Sequence, residues 1–338
     1  MNITAVARKA RVSTATVSRT INGSANVSPK TAERVRRAID TLGFYPNTNA
    51  RALGSGRSSL YGLIISDITN PFFPELVKAF EDVAVEHGQE VLIANTNYDP
   101  VRMESCVRRM LQRKVDGVAI MTSEMDDRLI DVFSRRHIPL VFLDTGTPGP
   151  GVSSVRIDYL AGVIAAIDHL TGLGHREIAF ISGPLLLTSA RTRLRAFTQM
   201  LHEKQLITDT RMIQEGNHRV GGGHDAMCRI LASGSPLTAV LCSNDLTAIG
   251  ALGAVHEHGL RVPEDISIVG FDDIQLSAYI NPGLTTLSAP RGELANTAFR
   301  SLFRNRDPQG GAPPVGEEHI VHPTLIVRGS TGPPPANS

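Results

Sequence analysis

Residues 13–19 read STATVSR, and from residue 29 the chain continues PKTAERVRR, so short hydroxyl side chains and long cationic ones fall on neighbouring segments. Small polar residues let a helix backbone approach base edges in the DNA major groove, while arginine and lysine reach guanine or phosphate. A second chemistry-bearing set lies further on, where Asp67, Thr122, Asp144, Asn244 and Asp272 each follow a short apolar run. Polar residues leaving the C-terminal ends of parallel strands are the usual ligand contacts of open α/β sheets. An aspartate or asparagine there also serves as a turn former or helix N-cap, and at this level both readings stand.

Other chemistries lack their spacing. His218 and His224 are six apart and His256 and His258 two apart, so neither pair shares a helix face as zinc-binding histidines do, and no cysteine pair joins them. The GGG at 221–223 fits no phosphate-binding loop, and no G-x-S-x-G is present. Asp272 and Asp273 are adjacent, and successive residues leaving a strand point opposite ways. No catalytic group, metal or cofactor is expected.

The net charge of +1 over 338 residues conceals a division. Residues 1–57 carry ten Lys/Arg against Glu33 and Asp40, a balance of +8, and the remainder carries 24 basic against 31 acidic residues, or −7. A basic module on an acidic body is the footprint of a chain that meets a polyanion at one end. Cys106, Cys228 and Cys242 are odd in number and widely spaced, which reads as reduced core cysteines of a cytosolic protein. With no apolar signal-peptide core and no run long enough to span a membrane, a cytoplasmic location is expected.

The elements that must position these residues are legible in outline. Ile3, Val6, Ala7 and Ala10 recur at helical spacing behind Asn2 as N-cap; Ser13 caps a second helix, Thr14 to about Ile21; Ser28 and Pro29 start a third that Gly43 closes. Residues 45–59, YPNTNARALGSGRSS, form a connector whose one helical stretch, Asn47 to Leu53, is too short to stand alone in water. From residue 60 short apolar strands alternate with helix-length amphipathic segments, which predicts two doubly wound α/β lobes with parallel sheets. LTTLSAP, ELANTAFRSLF and the strand HIVHPTLIVR would cross back between the lobes. The expected domains are thus a helix-turn-helix headpiece (1–45), a hinge helix and linker (46–58), a two-lobed effector-binding and dimerisation domain (59–328), and a disordered tail (329–338).

The stretches VARKARVSTATVSRTIN, VSPKTAERVRRAIDTLGFYPN and ARAL closely resemble the headpiece of the LacI/GalR family of bacterial repressors. The resemblance continues through ITNPFF, ISGPLLLTSARTRLRAF, LCSNDLTAIGAL, RVPEDISIVGFDD and LTTL, over nearly the whole chain. It implies that Thr14, Ala15 and Thr16 face base edges, that Ser13, Ser18, Asn22 and Tyr45 hold phosphates, and that Arg19 reaches a base or the backbone beside it. Asn47, Ala50, Arg51 and Leu53 would belong to a hinge helix that forms on operator DNA, the leucine wedging into the minor groove. A periplasmic-binding-protein-like sensor is implied for the body, with Asn70, Phe72, Phe73 and Arg193 joining the strand-end residues in a cleft. Arginine, aspartate and aromatic faces together suit a sugar, sugar acid or nucleoside. Ala5 and Arg11 stand where the family often has Asp and Gly, and Ala289 where it often has Gln.

The expectation is a homodimeric repressor that binds a pseudo-palindromic operator under control of a small effector. A regulator answering mainly to a protein partner, or a solute-binding protein on the same two-lobed body, are the alternatives.

Overall fold

The computed structural model describes residues 2–21, 26–45, 57–122, 125–144, 146–206, 209–305 and 315–336. Asn22, Asn47, Ala50, Arg51 and Leu53, all expected to contact DNA, lie outside them. The chain divides into two compact units, Met1–Ser59 and Leu60–Ser338.

The first unit holds α1 (Ile3–Ala10), α2 (Thr14–Ile21) and α3 (Pro29–Leu42). Each start follows from a cap: Asn2 accepts from the Ala5 amide, Ser13 Oγ from the Thr16 amide at 3.1 Å, and Ser28 from the Thr31 amide. Val6, Ala7, Ala10, Val17, Val35 and Ala38 bury together as a small core. Arg34 pins α3 to α1 by donating from Nε to the Ala10 carbonyl at 2.8 Å. α1 ends on Arg11 in the left-handed region, φ 52°, the conformation that favours glycine.

In the second unit the strands are β1 (Leu60–Ile65), β2 (Glu90–Asn95), β3 (Gly117–Met121), β4 (Leu140–Leu143), β5 (Val152–Ile157), β6 (Ile178–Ser182), β7 (Ile213–Glu215), β8 (Ala239–Cys242), β9 (Ser267–Asp272), β10 (Thr285–Ser288), β11 (Glu318–Val321) and β12 (Thr324–Ile326). Its helices are α4 (Phe72–Glu86), α5 (Pro100–Gln112), α6 (Asp127–Ser134), α7 (Tyr159–Gly172), α8 (Thr188–Glu203), α9 (Val220–Ala232), α10 (Asp245–Glu257) and α11 (Arg291–Asn305). One sheet runs β11-β5-β4-β3-β1-β2 and the other β12-β10-β9-β8-β6-β7. Every pairing is parallel except β10 with β12. Helices cover both faces of parallel sheets, which explains the near-continuous apolar runs of β1, β3 and β9. The apolar core is continuous between lobes, joining Tyr61, Leu63 and Phe80 to Phe180, Phe197 and Phe271.

The chain passes between lobes after β5, after β10 and after β11. HIVHPTLIVR, expected as one strand, is broken at His322-Pro323 and its halves join different sheets. Proline offers no N–H to a ladder, so the break falls there. β5 lacks an apolar signature because Ser153 and Ser154 are buried within it, and Ser153 Oγ accepts from the Glu317 amide.

The expected disordered tail needs correcting, because residues 329–336 pack into the second lobe. Ser330 is fully buried, its hydroxyl donating to the Ile268 carbonyl and accepting from the Thr285 amide. The Gly332 carbonyl lies 2.8 Å from Nε2 of the buried His175, whose Nδ1 meets Thr238 Oγ1 at 3.0 Å. These bonds satisfy polar groups at the N-terminal ends of β8, β9 and β10, so the segment is held despite its prolines.

Candidate functional site

On the first unit, Ser13, Thr14, Ala15, Ser18, Arg19 and Tyr45 are exposed, Tyr45 by 89%. Val17 and Thr20 turn inward instead, and Thr20 donates its hydroxyl to the Thr16 carbonyl. Thr16 is half-buried, with Oγ1 only 3.0 Å from Ser13 Oγ, so part of its hydrogen-bonding capacity serves the cap. The free face of α2 therefore centres on Thr14, Ala15, Ser18 and Arg19, short side chains with one long donor.

In the second unit the lobes enclose a cleft with about 580 Å³ of atom-free space, its mouth included. Asn70, Phe72, Phe73, Thr122, Asp144, Arg193, Asn244 and Asp272 all line it. Asp144 follows β4 in one lobe and Asp272 ends β9 in the other, both at positive φ, 79° and 113°. Left-handed backbone at a non-glycine residue costs about 1–3 kcal/mol, and such strain concentrates at functional sites. Phe72 and Phe73 meet edge to face at 5.5 Å on the first turn of α4, where Asn70 Oδ1 accepts the Phe72 amide.

Arg193, on α8, lines the same cleft and acts electrostatically on both carboxyls. Its guanidinium lies 4.3 Å from the Tyr159 ring centre and 4.7 Å from that of Phe271, and Nη2 donates to the Tyr159 hydroxyl at 3.0 Å. That phenol in turn eases the ionisation of the nearby Asp144 carboxyl. Burial raises the Asp144 pKa, and it pushes Asp272 and the Tyr159 phenol well above their ordinary values. Burial works against the Arg193 charge, but Tyr159, Asp272 and Asp144 hold its pKa above the usual value. Among the described residues, Asp144 Oδ1 and Arg193 Nε are buried without a hydrogen-bond partner. Buried polar atoms are ordinarily satisfied, and of the buried side-chain atoms without a hydrogen-bond partner among the described residues these two line the cleft.

Two sequence-derived candidates turn out to do other work. Asp67 is absent from the cleft lining: it accepts from the amide and hydroxyl of Thr69 and pairs at 2.7 Å with Arg219 of the opposite lobe. Burial opposes its ionisation, but Thr69 and Arg219 outweigh that and lower its pKa. Asn244 lines the cleft as the N-cap of α10, accepting from Thr247 and donating to the His218 carbonyl, so both ends of its amide are engaged. Glu75 makes a further cross-lobe tie, accepting from the Gln275 amide at 3.1 Å and pairing with Arg291 at 3.0 Å.

Residues that sequence reasoning missed also shape the wall: Tyr98, Tyr159 and His218. His218 is 2.8 Å from Ser243 Oγ and rests on Gly183, where a Cβ would come within 1.9 Å of its ring. Burial, then Arg193, pushes its pKa down to about 3, so it is neutral at neutral pH. Within the GGG segment Gly223 has a packing reason: a Cβ there would come within 2.2 Å of the Thr247 carbonyl oxygen, as α9 and α10 pack backbone to backbone. His224 pairs instead with Glu257 at 2.8 Å.

Comparison with known proteins bears on both units. Residues 2–47 match the family described as bacterial regulatory proteins, lacI family, and residues 167–331 match a periplasmic binding protein-like domain. The chain is 32% identical over 326 residues to the HTH-type transcriptional repressor PurR of Mannheimia succiniciproducens, covering 96% of this chain and 97% of that protein. It is 32% identical over 329 residues to the HTH-type transcriptional regulator GalR of Salmonella typhimurium, covering 97% and 95%. Among solved structures, the lac repressor dimer bound to operator and the anti-inducer ONPF matches with TM-score 0.84 at 30% identity, covering 98% and 99%. A complex of the transcriptional regulator CelR with cellobiose matches with TM-score 0.73 at 29% identity, covering 98% and 99%. No helix among the described residues is long and apolar enough to cross a membrane. The chain belongs to the LacI/GalR family of bacterial DNA-binding transcriptional regulators.

Proposed function

We propose that this regulator is a cytoplasmic homodimeric repressor whose operator affinity is set by a neutral, polyhydroxylated effector, a sugar or nucleoside, held at Arg193, Asp144 and Asp272. The observation that carries this reading is the pair of unsatisfied buried atoms, Asp144 Oδ1 and Arg193 Nε. A hydroxyl both donates and accepts, so hydroxyls satisfy a carboxylate and a guanidinium side by side. Two carboxyls to one guanidinium disfavour an anion, which sets a sugar acid behind an uncharged ring. Phe72 and Phe73 offer aromatic surface for the ring's C–H face.

At the operator, Thr14, Ala15 and Thr16 would read bases and Ser13, Ser18, Asn22 and Tyr45 would hold phosphates. The segment from Asn47 through Ala50 and Arg51 to Leu53 would order in the minor groove. Two solved relatives, the lac repressor dimer on operator and CelR with cellobiose, support this reading by analogy. The test is selection of binding sites from a randomised duplex pool by the full-length protein, followed by titration of the selected duplex against neutral sugars, nucleosides and sugar acids. A pseudo-palindrome whose affinity responds to a neutral sugar or nucleoside supports the proposal. An unstructured pool, or a response to acids alone, contradicts it.

A further inference from the structure

At the N-terminal ends of β3 and β4, opposite the ends from which Thr122 and Asp144 reach the cleft, the second unit carries an uncompensated cationic surface. The end of α5 presents Arg108, Arg109, Arg113 and Lys114, and the end of α6 presents Arg135, Arg136 and His137, all exposed. The two helix ends are neighbours, because they lead into strands that pair in parallel with Val118 beside Leu140. Residues 105–115 and 132–143, bounded by Asp116 and Asp131, hold six lysines and arginines and no carboxylate. The positive charge is therefore local, on a body whose own balance is −7.

Two features separate this surface from an ordinary solvated face. Exposed cations elsewhere in the unit are neutralised by neighbours, as Lys78 is by Asp82, Lys204 by Asp168 and Arg261 by Asp265. The side chains of Arg108, Arg109, Arg113, Lys114 and Arg135 make no ion pair or hydrogen bond among the described residues, and Arg109 and Arg113 are a like-charged i,i+4 pair that repel each other. The backbone gives the second feature. α4 and α10 are followed by a glycine in the left-handed region, Gly88 and Gly259, whereas α5 and α6 are followed there by Lys114 and His137, φ 52° and 55°. Long or ring side chains thus stand where glycine fits with least strain. The helix dipole favours a cation in the last turn, yet it gives no reason for cations to gather across two helices with no carboxylate among them.

The same edge receives the chain from the first unit. The Asp116 amide, two residues after Lys114, donates to the carbonyl of Leu60, the first residue of β1, at 2.8 Å. Leu60 is fifteen positions after Tyr45, a span of at most about 50 Å. Duplex bound by the first unit is thereby tethered within reach of this edge, at a raised effective concentration.

We propose that the surface around Arg113, Lys114 and Arg135 is a second DNA contact, which takes the phosphate backbone of duplex flanking the operator. Cations with no carboxylate among them complement a row of phosphates and read no sequence. The long side chains carry the contact, since the carbonyl ends of the helices themselves disfavour an anion. The proposal rests on operator binding by the first unit.

The experiment is fluorescence anisotropy of the full-length protein on the selected operator, as a duplex of about 20 base pairs and as one extended by roughly one helical turn of arbitrary sequence on each side. At about 0.15 M salt, where screening confines charge effects to ~8 Å, the extended duplex should bind about fivefold more tightly or better. Its log Kd should also rise more steeply with log salt, by about 0.9 for each phosphate that the surface neutralises. The combined substitution Arg113→Gln, Lys114→Gln and Arg135→Gln should bring the two duplexes to within twofold of each other and leave the short-duplex Kd unchanged, because none of the three lies in the headpiece. Equal wild-type affinity for both duplexes overturns the proposal, as does an advantage that survives the substitutions or a loss shared equally by both duplexes. If wild-type protein fails to bind even the short operator, the headpiece reading fails and the flanking contact falls with it.

Discussion

Replacing Arg193 with glutamine removes a buried cation that acts on two buried carboxyls and leaves a polar side chain in its place. Its guanidinium stacks on Tyr159 and Phe271 and donates to the Tyr159 hydroxyl. A desolvated cation–π contact is worth roughly 2 kcal/mol and a charge-assisted hydrogen bond about 1.5–3 kcal/mol. Together they sum to about 3.5–5 kcal/mol, so a loss of about that size is expected. The loss should depend on pH with a definite sign. Burial already raises both carboxyl pKa values in the folded state, and Arg193 is the largest of the influences that restrain them. Without it they rise further, and a raised carboxyl loses its stabilising contribution as pH climbs through the folded value. The deficit of Arg193→Gln relative to wild type should therefore be larger at pH 8 than at pH 5. Urea unfolding followed by circular dichroism measures it, since the chain contains no tryptophan for fluorescence. A deficit that is flat across that range, or below about 1 kcal/mol at pH 8, refutes the electrostatic account of the cleft. Operator affinity without effector should stay within threefold of wild type.

Arg11→Gly should relieve the left-handed strain at the end of α1 and stabilise the headpiece by about 1 kcal/mol, read as roughly fivefold slower hydrogen exchange across α1 and α3. Asp245 is fully buried, accepting from the Ile274 amide, Ser277 and Thr286, and burial lifts its pKa to about 6. Its stabilising contribution is present near pH 4 and lost as pH rises through that value, so the stability gap between wild type and Asp245→Asn should narrow by up to ~3 kcal/mol from pH 4 to 7; a constant gap would show that burial does not govern this carboxyl. His175 has a pKa lowered by burial, so its contribution holds above the ordinary histidine value and falls away below it. His175→Ala should expose residues 329–336 to proteolysis at pH 7.5 and cost on the order of 1–3 kcal/mol; an equally protected tail would mean that Ser330 alone holds it.

What the sequence disclosed divides along the reach of the interactions. The bounds of α2 and α3 were legible because Ser13, Ser28 and Pro29 act within three residues of themselves. Asp144 and Asp272 were legible as strand-end residues because an apolar run followed by a carboxylate is also a local pattern. Asp67 matched the same pattern, yet Arg219, 152 positions away in sequence, captures it as a cross-lobe tie. Tyr159 carries no local signal because it follows β5, whose buried serines hide the strand; the spacing of His218 speaks only to metal binding, whereas its place in the wall depends on Gly183 beneath it. The tail was misread for a related reason: its composition is that of a disordered end, while its order comes from partners at Ile268 and His175. Only the fold could supply those distances.

The central claim is that the cleft around Arg193 and the α2 face around Thr14–Arg19 belong to one equilibrium. Coupling of that kind is a differential affinity of the effector for two states of the protein, so it must appear as a change in operator affinity. The most direct measurement is fluorescence anisotropy of the selected operator duplex with wild-type protein, with and without a saturating concentration of a sugar that binds the cleft. The account predicts at least a tenfold change in operator Kd, absent in Arg193→Gln; an operator Kd that is the same with the cleft empty and full would contradict it.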